Sequence, residues 1–178
     1  AYKLNIIYFI ASDIQANPDY KRRISTMFLK HQLFVSKWMK HWGYEEKSFG
    51  LPLDENGMVD IITVQGEDIK ANYPYDSQKS VKKMKDEINA HYEKNNLSFH
   101  SDHVLVITAT NGDISETPFY GYGRWCFALD YPDMSYDLYN IDPLTGETVN
   151  STPLTTSLIG GLFHELTHGL NAPHVGPT

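Results

Sequence analysis

Three features of the sequence predict an α/β (α+β) fold, a mixed, mostly parallel twisted sheet with an antiparallel edge strand, packed on helices. Residues 4–11 and 103–109 are near-continuous apolar runs, which mark strands covered on both faces. Two stretches between them carry apolar residues three and four apart, the period of amphipathic helices. A third such stretch near the end completes an order in which strands and helices alternate, so crossover helices can join parallel strands.

The first run, residues 4–11, follows Lys3 and faintly imitates a secretion signal, but Asn5 and Tyr8 interrupt it and no small-residue cleavage pattern follows. It reads as a buried strand. The chain begins with Ala, which suggests that an upstream segment has been removed. Asn17-Pro18-Asp19 then reads as a helix start, with Asn as N-cap and Pro in the first turn. Ile24, Met27, Phe28, Val35, Trp38, Met39 and Trp42 form one wide stripe that should be buried, ended by Gly43. Residues 58–64 are a β-branched run between Asn56-Gly57 and Gly66, a second strand. Asp76-Ser77 opens a second helix with Val81, Met84, Ile88 and Tyr92 on one face; Lys79, Lys82, Lys83 and Lys85 lie mostly on a solvated side. Residues 103–109 suit a central strand. The Gly-, Pro-, Asp- and Tyr-rich stretch 111–150 holds two further short strands, 123–129 and 135–141.

Composition removes several classes of function. The 178 residues carry 15 Lys+Arg and 22 Asp+Glu, a net charge of −7. That balance argues against nucleic acid or an anionic membrane as partner. No apolar run approaches a membrane span. The lone Cys126 can form neither an internal disulfide nor a multi-thiolate zinc site, so any metal must be held by His and carboxylates.

The last helix begins near Pro153 and carries Leu158, Ile159, Leu162, Phe163, Leu166 and Leu170. Within it stands His164-Glu165-Leu166-Thr167-His168. Residues four apart share one side of a helix, so His164 and His168 can present two imidazole nitrogens to one ion. Glu165 sits about 100° round the axis, beside that ion rather than on it, where it could take a proton from an attacking water. Asn171 tolerates the left-handed conformation that ends a helix, and Pro173 forbids continuation. The chain can therefore turn and bring His174 back as a third ligand, leaving a fourth tetrahedral position open, as in catalytic zinc sites.

This motif resembles that of the metzincin clan of zinc metalloproteases, HExxHxxGxxH, with Asn171 where the family usually has Gly. The resemblance implies a zincin-like N-terminal subdomain over residues 1–178 and a zinc-dependent endopeptidase acting on protein or peptide. It implies His164, His168 and His174 as zinc ligands and Glu165 as general base and later proton donor to the leaving amine. It also implies an edge strand that aligns an extended peptide through main-chain hydrogen bonds. The candidate is residues 123–129, with Gly123, Arg124 and Trp125 as substrate-binding residues. A bacterial secreted, periplasmic or cell-surface location follows from the same resemblance. Metzincins place a methionine turn after the third His, whereas Met27, Met39, Met58, Met84 and Met134 all precede the motif and four residues follow His174. The expectation is therefore a piece lacking the C-terminal subdomain. A zinc-containing but catalytically idle domain that recognises peptide or glycan is the alternative, and hydrolysis of a non-peptide amide would use the same site.

Weaker signals surround this centre. Asp130, Asp133, Asp137 and Asp142 are candidates for a calcium site, but their spacing lacks the EF-hand pattern and solvated loop acids explain them more simply. Asn96 and Asn150 head glycosylation sequons. Cys126 reads as a small core residue, and His31, His41, His91, His100 and His103 show no second ligand spacing.

Overall fold

The computed structural model describes residues 2–74, 78–109, 119–130, 145 and 153–170, with side chains in the last stretch described from residue 159. Five strands form one sheet: β1 (Asn5–Ile10), β2 (Ile61–Gln65), β3 (Val104–Ala109), β4 (Phe119–Tyr122) and β5 (Trp125–Asp130). Their order is β2-β1-β3-β5-β4, parallel throughout except for β4, which runs antiparallel to β5 at the edge. Three helices accompany the sheet: α1 (Tyr20–His41), α2 (Gln78–Lys94) and α3 (Pro153–Gly169). The expected α/β architecture is therefore the observed one.

Every residue of β1 is buried. Tyr8 stacks on Tyr20 of α1, while Phe9, pointing to the other face, meets Tyr73, whose hydroxyl donates to Glu87 of α2. Alternation along this one strand thus assigns α1 and α2 to opposite faces. That is what right-handed crossovers require when β2 and β3 flank β1 on its two sides. The α1 face also holds α3, because Phe28 packs edge-on against Phe163 with ring centroids 5.3 Å apart. Val81, Met84, Ile88 and Tyr92 of α2 are all buried, as their spacing predicts.

Three expectations need correction. The α1 helix starts at Tyr20, with Asp19 in a left-handed conformation (φ 57°) and no side-chain cap. Asn17 is drawn away from capping by tertiary partners, its backbone N–H donating to the Tyr8 hydroxyl and its side-chain amide to the carbonyl of Asp130. The apolar stripe of α1 is buried only in its first half, at Ile24, Met27 and Phe28; Val35, Trp38 and Met39 are half-buried, and Trp42 is 70% exposed. Gly43 does follow the helix with φ +85°, as a helix-ending glycine should.

The third correction concerns the edge. Residues 123–129 do not form the edge strand: β5 is an inner strand between β3 and β4, and the edge is Phe119–Tyr122. Gly123, with φ +64°, makes the turn between them. The expected strand at residues 135–141 lies outside the described residues.

Candidate active site

The His164-Glu165-Leu166-Thr167-His168 segment sits on α3, which packs against β4 and β5. Ile159, Leu162, Phe163 and Leu166 are buried, so the helix turns an apolar stripe inward. His164 is exposed and Glu165 and His168 are half-buried on the remaining surface. The Nε2 atoms of His164 and His168 lie 3.1 Å apart, with the rings nearly perpendicular at 84°. Two nitrogens each about 2.0–2.1 Å from one tetrahedral zinc would be roughly 3.3 Å apart, so this pair fits two corners of such a site. No group of three or more His, Cys, Asp or Glu side chains converges among the described residues. His174, the expected third ligand, lies outside them.

Close contacts fix α3 against the edge hairpin. A Cβ at Gly161 would collide with the ring of Phe119, and one at Gly169 with the sulfur of Cys126. Gly121 of β4 faces α3 without a side chain, and a Cβ there would come within 3.2 Å of Glu165 Oε2. The Glu165 carboxylate therefore lies directly beside the backbone of the edge strand. Cys126, buried in β5, donates its thiol to the carbonyl of Glu165 at 3.3 Å. Burial first, and then the nearby Glu165 carboxylate, pushes its pKa up to about 12, so it is a protonated structural donor rather than a nucleophile or metal ligand.

Of the expected substrate residues, Gly123 makes the turn between β4 and β5. Arg124 pairs with Asp102 at 2.5 Å, and Trp125 meets Phe99 and the Lys85 ammonium on the α2 face of the sheet. Trp125 is therefore not gathered with His164 and His168, whose helix covers the other face. Sequence reasoning names Gly121 only as part of a rim, Tyr120 to Gly123, leading into the substrate strand, and does not anticipate that Gly121, Phe119 and His103 contact α3 from more than forty residues away; no local pattern announces those contacts. Of the suggested calcium acids only Asp130 is described, and it is fully buried with its carboxylate engaged by Tyr8 and Arg23.

His31 supports α3 from behind. Its ring stacks on Phe163 at 3.3 Å between centroids, and its buried Nδ1 has no hydrogen-bond partner among the described residues. Burial lowers its pKa to about 3, from an ordinary value near 6.5. The folded state thus takes up fewer protons than the unfolded one, and its stability falls as pH drops from 6.5 towards 3. Between pH 7 and pH 5 this one group should remove about 2 kcal/mol. Urea unfolding at the two pH values checks it: His31→Leu should show a shallower loss than wild type, and equal slopes would contradict the assignment.

A scan of protein-family profiles finds no match, and neither does a search of curated proteins. Among solved structures the chain is similar to wild type OgpA from Akkermansia muciniphila in two crystal forms, each 38% identical over 98% of this chain with a TM-score of 0.81. It is also similar, at 36% identity and the same TM-score and coverage, to catalytically inactive OgpA in complex with an O-glycopeptide (glycodrosocin) substrate. The chain spans about half of those proteins, 49% of their length.

Proposed function

We propose that this chain is the ligand-bearing part of a metzincin-type zinc endopeptidase whose substrates are O-glycosylated peptides. The paired Nε2 atoms of His164 and His168, with Glu165 set against Gly121 of the edge strand, carry this reading. The likeness to a protein crystallised with an O-glycopeptide substrate supports the substrate class.

His164 and His168 would hold the metal from α3, with His174 as the third ligand. Zinc bound there supplies Lewis-acid polarisation of the scissile carbonyl and a nucleophile at neutral pH. The outer edge of β4 offers main-chain donors and acceptors to an extended peptide, a form of strand addition. Because Gly121 has no side chain, such a peptide can lie close to the Glu165 carboxylate. Glu165 takes the proton of the attacking water on a carboxylate oxygen and returns it to the leaving amine nitrogen, the work of a positioned general base and acid. No helix among the described residues is long and apolar enough to cross a membrane.

Chelation tests the reading. The full-length protein should cleave an O-glycopeptide, lose that activity with a zinc chelator and regain it with one equivalent of zinc. Cleavage that survives complete metal removal would contradict it. A second reading, a zinc-containing domain that binds glycopeptide without turnover, draws on the chain spanning only half of the similar proteins. Binding without product in the same assay selects it.

A further inference from the structure

The sequence removes one donor that the end of α3 would otherwise need. In a continuing helix the carbonyl of Gly169 would accept the N–H of residue 173, but residue 173 is proline and has none. The imidazole of His103, from the segment leading into β3, meets that need: its Nδ1 lies 2.8 Å from the Gly169 oxygen. A carbonyl oxygen only accepts, so Nδ1 carries the proton.

His103 is itself held in place. Asn5, a buried polar residue in β1, donates its amide to the carbonyls of Ser101 and His103, both at 2.8 Å, and accepts from the backbone N–H of His100 at 2.8 Å. The Asn5 backbone N–H adds a bond to the His103 carbonyl at 3.0 Å. Strand β1 is thereby connected, through the segment that holds His103, to the carbonyl of Gly169 at the end of α3.

Gly169 directly follows His168, and four residues separate it from His174. Where the helix ends therefore sets where the third ligand can be delivered relative to the first two. We propose that His103 is a positioning residue of the metal centre, fixing the exit of α3 so that His174 returns to the ion held by His164 and His168. This rests on the zinc reading above. The role is that of an outer partner orienting ligands, a kind of contact whose loss typically weakens metal binding about 10–100-fold.

Side-chain exchange at 103 separates this role from simple packing. The ring borders a cavity of about 640 Å³ shared with His100, Arg124 and Leu170, so shorter or longer side chains have room. Asn places an N–H donor the same number of bonds from the backbone as Nδ1; Leu has a similar shape and no donor. In the full-length protein, zinc affinity is read by competition with a chromophoric chelator, and the melting temperature of the metal-free form is read in parallel. His103→Leu should weaken zinc binding roughly tenfold or more, and His103→Asn should restore it to within about threefold of wild type. Equal zinc affinity for the Leu and Asn variants would overturn the proposal, as would a Leu variant changed only in metal-free melting temperature. Should His103→Leu fail to fold, His103→Met, which is flexible and has no N–H or O–H donor, takes its place with the same two outcomes. Wild type that takes up no zinc would instead overturn the zinc reading itself.

Discussion

Glu165→Gln should abolish most peptide cleavage while leaving zinc content unchanged. Gln keeps the shape of Glu and its place beside Gly121, where the carboxylate now approaches within 3.2 Å of the position a Cβ would take. It loses only the ability to accept a proton. A positioned general base contributes about 10²–10⁴-fold to rate, so kcat should fall by roughly that factor with little change in KM. Because Glu165 would act as base and not as ligand, zinc stoichiometry should match wild type. Retained activity would remove Glu165 from the chemistry. Loss of zinc along with activity would make Glu165 a ligand.

The largest expected effect on stability is at Asp130. Its carboxylate is wholly buried at the end of β5, accepting from the Tyr8 hydroxyl at 2.7 Å and from the Arg23 guanidinium at 3.1 and 3.3 Å. Burial, with Asp130 beside it, holds the Tyr8 hydroxyl protonated well above the ordinary phenol range. Arg23 is itself only 12% exposed. Asp130→Ala would leave that guanidinium without its carboxylate in a poorly solvated place, a change that costs about 3–5 kcal/mol. Asp130→Leu combined with Arg23→Met should recover much of the loss, since a buried ion pair replaced by apolar groups of similar volume is often neutral. Denaturant unfolding of the three variants tests this, and a cost below about 1 kcal/mol for Asp130→Ala would contradict the network's role.

Both predictions depend on features of unequal visibility in the sequence. The buried strands β1 and β3 and the inner face of α2 are written in local periodicity, and the structure follows it. The histidine pair is equally local, because a four-residue spacing on a helix leaves one outcome for its geometry. Pairing across the sheet is not local. Residues 119–122 and 125–130 both mix aromatic with small residues, and only the turn at Gly123 and the parallel partner β3 decide which of them becomes the edge. The start of α1 was misread for the same reason. Asn17 has the side chain of a good cap, but its amide bonds to Asp130, 113 residues away. The clasp of His103 on Gly169 spans 66 residues and leaves no trace in spacing. The second half of the α1 stripe, ending in the exposed Trp42, shows that periodicity reports which face is apolar but not how much of it finds a cover within the chain.

The central claim is that His164, His168 and His174 converge on one zinc. X-ray absorption at the zinc edge of the full-length protein, loaded with one equivalent of metal, tests it most directly. The account predicts three imidazole nitrogens at about 2.0–2.1 Å and one further oxygen, with one imidazole lost in His174→Ala. A sulfur ligand, only two imidazoles in wild type, or a spectrum unchanged by His174→Ala would contradict it.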